Sequence, residues 1–348
     1  MVSVFKIRHF FFLFFQAVLG ICLLLFPDTN LHASQLMVLD DVAKQAPQDR
    51  VAKVQPSPVQ SVILGQRGDI SSVKVRPRKA GLEYSWLPNV RKKITSKSVI
   101  IIDAETGRTL FSKQADTPRQ PASTIKVLTG MIALKSLKEN DWVGVSRHAA
   151  RMPSSKVYLD TKKSYKADDL INAVLVASAN DASVALAEKI AGSEKQFAKM
   201  MTVRAKLWGA KNTVCRTASG LTAKGQKSTA RDLAYIFRHA MQDEDFARRM
   251  SKVKVRTSYG KLLRNHNKAL WRIDGAQGGK TGYTRAARQT YVGQFSNDEG
   301  AIIVAIMGSE TMWPDIKQLV DYGFIRQKQV RIARKKLAEK GTRVARAQ

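Results

Sequence analysis

Three short segments of this chain carry side chains that can form one acyl-transfer site if the fold brings them together. They are Ser123-Thr124-Ile125-Lys126, Ser178-Ala179-Asn180 and Lys280-Thr281-Gly282. A serine and a lysine three residues apart on a helix, with a second serine on a loop and a second lysine on a strand, supply a nucleophile, a base and a proton relay. Such a site does not need the histidine of most serine hydrolases. The chain must therefore fold so that these distant segments meet.

The Ser123 copy of the S-x-x-K pattern has the setting that this chemistry requires. Pro121 favours the start of a helix just before it, and the apolar run from Ile125 to Leu134 predicts that this helix is buried. Lys126 interrupts that run, and a buried ammonium needs a partner or a lowered pKa. Elsewhere the pattern is typical of a serine cap beside a solvated lysine, as at Ser3, Ser71, Ser251 and Ser258.

The N-terminus has the pattern of a secretory signal. A basic segment at residues 6–9 precedes an apolar run from Phe10 to Phe26, and a polar stretch then ends at Ala33. We therefore assign residues 1–33 to a signal peptide. An uncleaved anchor is the alternative, although the run is shorter than the roughly 20 residues of a typical span. Either pattern predicts export across the bacterial inner membrane to the periplasm or cell envelope.

The charge of the chain is extreme, with a formal net charge of +31. Such charge is typical of nucleic-acid binding, but the basic residues lack interleaved aromatic residues and the signal indicates another compartment. The basic excess is heavy in two segments outside the predicted catalytic domain, a proline-containing linker at residues 34–97, which includes the Arg76–Lys79 cluster, and a tail at residues 326–348. We expect these segments to bind anionic wall or membrane surfaces and no nucleic acid.

Strands are predicted at both ends of the segment 98–325. Two hairpins account for them, with strands at Ser98–Ile102, Thr109–Phe111, Gln289–Phe295 and Ala301–Met307. The intervening chain has helical spacing, and a last helix is predicted from about Trp313 to Phe324. This order predicts an α+β domain in which the terminal strands meet in one antiparallel sheet flanked by helices.

The second motif lies between two predicted helices. Apolar residues recur at helical spacing before Ser178, and a second helical stretch from Ala182 ends at Gly192, a common helix stop. Ser178 and Asn180 are therefore expected at a helix–helix junction. Serine and asparagine are also ordinary helix caps, so the pair has meaning only together with the other two motifs.

The chain resembles the low-molecular-mass penicillin-binding proteins, which are serine-type D-alanyl-D-alanine carboxypeptidases. Around and beyond the three motifs, the resemblance rests on blocks in one order: Asp103–Gly107 followed by Pro121–Ser123, Ser178–Ser183, Ser219–Leu221 with Ser228–Ala234, and Asp274–Gly275 ahead of Gly279–Thr284. It extends from about Ser98 to Phe324 and implies a serine β-lactamase/DD-peptidase-like fold with an all-helical subdomain. The expected reaction is removal of the terminal D-alanine from peptidoglycan stem peptides, with β-lactams as covalent inhibitors.

The resemblance also implies roles for individual residues. Ser123 would be the nucleophile, Lys126 its base, and Ser178 part of the proton relay to the leaving amine. The backbone N–H groups of Ser123 and Tyr283 resemble the oxyanion hole of the family. The residues expected to bind substrate are Asn180, Lys280, Thr281, Gly282, Tyr283 and His266.

Two positions depart from the family pattern. His266 stands where many members have an arginine that holds the terminal carboxylate of the substrate, and Arg285 or Arg288 are candidates to supply that charge. Thr217 replaces a common asparagine in a loop that we interpret as structural. Neither departure removes one of the three motifs.

Two other functions remain open from the sequence. A class A β-lactamase shares the motifs but needs an added glutamate to activate the deacylating water. Between Ser178 and Lys280 we find no glutamate in a comparable loop signature, and Glu188 and Glu194 lie on or beside the second helix. The other alternative is a non-catalytic basic protein that binds the cell wall.

No cofactor or metal is predicted. The histidines show no ligand spacing, at His9, His32, His148, His239 and His266. Cys215, the one cysteine left after signal cleavage, has no nearby histidine and is interpreted as a small buried hydrophobe.

Overall fold

The computed structural model describes residues 89–346 except residue 154, with side chains described as far as residue 336. The predicted signal peptide, 1–33, and residues 34–88 of the predicted linker lie outside the described residues.

Nine strands and nine α-helices follow one another in this part of the chain. The strands are β1 (Ser98–Asp103), β2 (Thr109–Lys113), β3 (Trp142–Gly144), β4 (Ser164–Lys166), β5 (Lys254–Arg256), β6 (Leu262–Arg264), β7 (Ala276–Thr284), β8 (Arg288–Asn297) and β9 (Gly300–Ser309). The helices are α1 (Val90–Lys93), α2 (Lys126–Ser136), α3 (Arg147–Ala150), α4 (Ala167–Leu175), α5 (Asn180–Ala191), α6 (Glu194–Leu207), α7 (Ala230–Ala240), α8 (Glu244–Met250) and α9 (Met312–Arg346). Short 3-10 turns at Ala122–Ile125 and Lys268–Trp271 complete the set.

Five strands form one antiparallel sheet in the order β2-β1-β9-β8-β7. Strand β1 pairs with β9 over its full length, from Ser98 opposite Met307 to Asp103 opposite Ile302. The first and last strands of the domain therefore meet in the middle of the sheet, which confirms the predicted α+β fold. Strand β7, which contains the third motif, lies at the edge.

The central strands are buried on both faces, and their side chains alternate between two cores. Ile100 and Ile102 of β1 belong to the core that also contains residues of helices α2, α4, α5 and α7. Val99 and Ile101 point to the other face, where they pack with α1 and the first half of α9. Because successive side chains of a strand point to opposite faces, a continuous β-branched run produces a strand covered on both sides.

Helix α2 is the centre of the helical part of the domain. Every residue from Lys126 to Ala133 is buried, and the helix contacts α4, α5, α6 and α7. This arrangement is the helical subdomain that the resemblance implied. The cleft described below lies where α2 and the start of α5 meet the edge strand β7.

Residues 89–97, which the sequence assigned to the linker, are packed against the domain. Val90 and Ile94 are buried, and the Asp315 carboxylate accepts hydrogen bonds from the backbone N–H groups of Thr95 and Ser96 at 3.0 and 2.8 Å. These contacts attach the chain ahead of β1 to the first turn of α9.

Helix α9 is longer than the sequence indicated. It does not end near Phe324 but continues through the basic segment to Arg346. Lysine, arginine, alanine and leucine are good helix formers, and the single Gly341 does not interrupt the helix. None of the helices between residues 89 and 346 has the length and apolar character needed to cross a membrane.

Candidate active site

Ser123 lies in a 3-10 turn, Ala122–Ile125, that leads directly into α2. We predicted one continuous helix after Pro121, but Ala122 adopts a left-handed conformation with φ of 51° and the first turn is wound more tightly. In a 3-10 helix, side chains three residues apart eclipse one another. The tighter turn therefore places the Ser123 hydroxyl beside Lys126.

Two glycines allow other backbone segments to approach this turn closely. A Cβ atom on Gly220, which has φ of 80°, would lie 2.0 Å from the carbonyl oxygen of Ala122. A Cβ atom on Gly282 of β7 would lie 2.7 Å from the backbone nitrogen of Ser123. Larger residues do not fit at either position, so these glycines set the width of the site at Ser123.

The Lys126 side chain is fully buried and its amine contacts three separate segments. Nζ lies 2.9 Å from Ser123 Oγ, 2.7 Å from Asn180 Oδ1 and 2.6 Å from the carbonyl oxygen of Ser219. Asn180 is itself fixed, because its Nδ2 donates to the carbonyl oxygen of Pro153 at 2.9 Å. The amine is therefore held in one place against the serine hydroxyl.

A second serine–lysine pair lies across the site. Lys280 Nζ donates to Ser178 Oγ at 2.8 Å and to the carbonyl oxygen of Thr281 at 2.9 Å. Ser178 has a left-handed backbone conformation, with φ of 59°, in the short connection between α4 and α5. Such a conformation is strained for a residue other than glycine, and here it occurs in a residue that lines the cleft.

Both lysines are far more easily deprotonated than a lysine in water. Burial, and then the charge of Lys280, hold the pKa of Lys126 well below its usual range, against the opposing charges of Asp181 and Glu194. Burial alone lowers the pKa of Lys280 to about 7. A neutral amine can therefore accept a proton from Ser123 near neutral pH.

These groups open into a cleft of about 440 Å³. One side comes from the helical part of the domain and the other from the sheet and the start of α9. The lining residues include Ser123, Ser178, Asn180, Thr281, Gly282, Tyr283 and His266. The structure thus brings all nine sequence-predicted site residues together, seven in the cleft lining and the two buried lysines directly behind it.

The imidazole of His266 lines the cleft but does not carry the charge of an arginine. Burial, followed by the charges of Lys280 and Lys126, lowers the pKa of His266 to about 4, although part of the residue is open to solvent. Arg288 forms an ion pair with Glu310 and is absent from the cleft lining, as is Arg285. A cation that the sequence reasoning missed, Lys268, lines the cleft instead.

The loop that carries Ser219 is held by its own polar groups. Gln226 Oε1 accepts from the backbone N–H groups of Arg216 and Thr217, and Thr217 Oγ1 accepts from Gly220 N–H at 3.0 Å. Thr217 therefore supports the loop, in agreement with its interpretation as structural. Burial raises the pKa of the nearby Cys215 thiol to about 12, so this cysteine remains a thiol at neutral pH.

Among the described residues, no carboxylate lines the cleft. Glu188 Oε1 accepts from Ser146 Oγ at 3.0 Å, and Glu194 Oε1 accepts from the backbone N–H of Ala218 at 2.9 Å. Neither glutamate is placed to activate a water molecule beside Ser123. The described residues also contain no group of three or more side chains suited to hold a metal ion.

Three contributors to the site were not found from the sequence. Ser219 acts through its carbonyl oxygen, which any residue would provide, so only the fold reveals it. Asp181 directly follows Asn180 in the chain, and only the fold shows that its buried charge acts on Lys126. Lys268 lies two residues after His266, in the segment that leads to the third motif. This closeness in sequence to a predicted site residue could have identified it as a candidate.

Comparisons with known proteins identify similar chains. A family profile for the S11 peptidases, described as D-alanyl-D-alanine carboxypeptidase, matches residues 87–311. The chain is 36% identical over 236 residues to D-alanyl-D-alanine carboxypeptidase DacB2 of Mycobacterium tuberculosis, covering 65% of this chain and 81% of that protein. It is 31% identical over 247 residues to DacF of Bacillus subtilis, covering 66% and 62%. The chain thus matches less than two thirds of the length of DacF.

Solved structures that resemble this chain are also D-alanyl-D-alanine carboxypeptidases or penicillin-binding proteins. The crystal structure of D-alanyl-D-alanine carboxypeptidase from M. tuberculosis H37Rv has a TM-score of 0.64 at 33% identity, covering 66% of this chain and 91% of that one. Penicillin-binding protein D2 from Listeria monocytogenes, in its ampicillin-bound form, has a TM-score of 0.61 at 27% identity, covering 66% and 98%.

Replacing Lys280 by methionine should change the pH dependence of stability. In the native protein Lys280 loses its proton above about pH 7, whereas an unfolded lysine keeps its proton up to about 10.5. Between these values the unfolded state binds one more proton, so the free energy of unfolding of the native protein rises with pH by about 1.4 kcal/mol per unit relative to Lys280→Met. The free-energy cost of burying the charged Lys280 amine therefore acts in full below about pH 7 and disappears above about pH 10.5.

Denaturant unfolding of both proteins across this pH range measures the effect. The excess of the unfolding free energy of Lys280→Met over that of the native protein should be greatest near pH 7 and should disappear toward pH 10. Lys254→Met, at an exposed position, serves as the matched control and should show no such trend. A stability difference between native protein and Lys280→Met that stays constant with pH would contradict the lowered pKa.

Proposed function

The chain belongs to the D-alanyl-D-alanine carboxypeptidase family of serine peptidases, and on this basis we propose that it removes the terminal D-alanine from peptidoglycan stem peptides through an acyl-enzyme on Ser123. The observation that carries the proposal is the 2.9 Å contact between Lys126 Nζ and Ser123 Oγ, in a site that disfavours the ammonium form. A base at this distance can take the hydroxyl proton as the bond to substrate forms.

In the acylation step, Ser123 Oγ attacks the carbonyl carbon between the two terminal D-alanines and its proton passes to Lys126. The negative charge that develops on the carbonyl oxygen would be bound by the backbone N–H groups of Ser123 and Tyr283, each such donor contributing about 3–4 kcal/mol in analogous enzymes. The close approach of β7 to Ser123, which Gly282 permits, supports this pairing.

Release of D-alanine requires a proton on its nitrogen as the C–N bond breaks. Ser178 is suited to deliver it, since its oxygen accepts from Lys280 and its own hydroxyl proton is free to face the cleft. Lys280, with a pKa of about 7, can replace that proton and regain one from protonated Lys126, so that the proton taken from Ser123 ends on the leaving amine and Lys126 is neutral again. Water then attacks the ester carbonyl with Lys126 again as base, and the proton on Lys126 returns to Ser123 Oγ as the C–O bond breaks.

The terminal carboxylate of the substrate needs a positive partner on the sheet side of the cleft. Thr281 supplies a hydroxyl, and His266 is neutral at pH 7 because its pKa is about 4. Lys268 is the cation that lines the cleft beside them, and we assign to it the role that an arginine has at the position of His266 in other members.

Lys268→Met should weaken substrate binding with little effect on the chemical step. An exposed charge pair is worth up to about 1 kcal/mol, so the KM for a peptide ending in D-Ala-D-Ala should rise about fivefold while kcat stays within about twofold. Steady-state release of D-alanine measures both constants. Lys254→Met on the neighbouring hairpin is the control, and an unchanged KM in Lys268→Met would exclude Lys268 from carboxylate binding.

Ser123→Ala should abolish both covalent labelling by a fluorescent penicillin and release of D-alanine, because the variant lacks the attacking oxygen. The folded state should persist, as judged by thermal unfolding, since only one cleft-facing hydroxyl is removed. Labelling that survives in Ser123→Ala would contradict the assignment of the nucleophile. A native protein that neither labels nor releases D-alanine would instead favour a non-catalytic wall-binding role.

The lifetime of the penicillin adduct separates the peptidase from a β-lactamase of the same fold. No carboxylate lines the cleft in the described residues, so water has no activating glutamate beside the acyl-enzyme. The adduct should therefore be long-lived, and rapid turnover of penicillin would favour the β-lactamase. The ampicillin-bound form of the Listeria relative supports the β-lactam part of this proposal.

We also propose that the protein acts outside the inner membrane, in the periplasm or cell envelope, and binds anionic wall or membrane surfaces. The signal-like pattern of residues 1–33 and the location of peptidoglycan support export. The basic end of α9 supports surface binding, because Arg334, Lys335 and Lys336 are exposed to solvent and each such charge near an anionic surface contributes about 1 kcal/mol.

Fractionation tests this location. If the charges hold the protein, high salt should release it from the membrane pellet, because the screening length falls to about 3 Å at 1 M salt. A variant in which the cations after Arg326 are replaced by glutamine should be released at lower salt. Retention in high salt with release by detergent would show instead that the N-terminal apolar segment is an uncleaved anchor.

A further inference from the structure

Tyr158 has an unusual conformation in an exposed position near the cleft. Its φ is 61°, in the left-handed region, and 71% of the residue is exposed to solvent. A bulky side chain with positive φ is a genuine outlier, and such strain is concentrated at sites with a function. Packing does not explain this one, since most of the ring is not buried.

The backbone on both sides of Tyr158 is held by Asp181, the residue that follows the second motif. The buried carboxylate of Asp181 accepts hydrogen bonds from the backbone N–H groups on both sides of Tyr158, those of Val157 at 3.0 Å and Leu159 at 3.2 Å. Asp181 directly follows Asn180, which holds the Lys126 amine. The backbone around Tyr158 is therefore tied to the start of α5, which carries Asn180.

Two lysines from separate segments converge on the tyrosine ring. The Nζ atoms of Lys156 and Lys261 each lie 5.2 Å from the ring centroid. Lys261 Nζ donates to the carbonyl oxygen of Val157 at 2.5 Å and Lys156 Nζ to that of Ala150 at 3.4 Å, and within the part of the chain that the structure describes neither lysine forms an ion pair. Two like charges beside an exposed aromatic face form a surface suited to a group that has both an anionic and an apolar part.

This surface lies within reach of the cleft. Ser155 lines the cleft, and its carbonyl oxygen accepts from Asn180 N–H at 2.7 Å. Tyr158 is three residues further on, so the two Cα atoms are at most about 11 Å apart. In a carboxypeptidase substrate the leaving group is the single terminal residue. Only the acyl half, which is the peptide before the cleaved bond, is long enough to extend to the tyrosine.

We propose that Tyr158, Lys156 and Lys261, here called the Tyr158 site, bind a carboxylate-bearing residue in the acyl half of the substrate. The inference rests on the proposed carboxypeptidase function and adds a specificity determinant to it. The two ammonium groups would pair with the carboxylate, while the ring would contact the adjacent aliphatic part of the peptide. Peptides that carry a free carboxylate upstream of the terminal D-alanines should therefore be preferred over otherwise identical neutral peptides.

The test compares two synthetic peptides that end in D-Ala-D-Ala and differ only in one upstream group, a D-glutamyl carboxylate or its carboxamide. The native protein should release D-alanine from the acidic peptide with a kcat/KM about fivefold higher. Lys156→Met combined with Lys261→Met keeps the aliphatic stems and should remove this preference. Its kcat/KM for the neutral peptide and its rate of labelling by penicillin should stay within about twofold of native.

Tyr158→Asn provides an independent variant, because asparagine tolerates the left-handed conformation. It should lower kcat/KM for both peptides through the lost ring contact, without changing penicillin labelling. Lys199→Met, at an exposed position on α6, is the control and should keep the native preference. An equal kcat/KM for the two peptides in the native protein, or a preference that survives the double substitution, would overturn the Tyr158 site. Failure to release D-alanine from either peptide would instead count against the proposed function itself.

Discussion

The rest of the site depends on one constraint, the burial of the Lys126 amine. An ammonium group in this position would be poorly solvated, so the fold must provide acceptors from several directions and must also favour the neutral form. Three segments that are far apart in the chain supply the contacts: the turn with Ser123, the start of α5 with Asn180, and the loop with Ser219. Because each of them has to reach the same nitrogen atom, the position of that atom fixes how these three segments meet.

Much of this arrangement could be predicted from residue patterns. The β-branched run at Ser98–Ile102 and the paired strands near the C-terminal end predicted the central sheet, because strands buried on both faces need continuous apolar sequence. The order of the three motifs predicted which side chains meet. Patterns of this kind report side-chain chemistry and periodicity. Features of the fold and site that depend on these two properties alone could therefore be predicted from the sequence. The geometry places Ser123 and Lys126 together, and their roles in the reaction stay predictions.

Other features could not have been predicted, for identifiable physical reasons. The left-handed conformation of Ala122 results from contacts with distant backbone, and nothing in the local sequence favours it. The carbonyl oxygen of Ser219 is independent of residue type. The charge on the sheet side of the cleft comes from Lys268, because the environment of His266 suppresses its protonation. The extent of α9 was underestimated because the basic segment lacks a wide apolar face, yet its residues have high intrinsic helix propensity.

The continuity of α9 gives the basic segment a defined geometry. The first half of the helix is packed against the sheet, with Val330 among the last residues that contact the core. From Val330 to Arg346 the helix advances about 24 Å at 1.5 Å per residue. Unlike a flexible tail, which would sample many distances, this segment acts as a spacer of fixed length and direction. Its cationic end would therefore orient the domain as well as attract it, and the cleft would face any bound polymer at a set height.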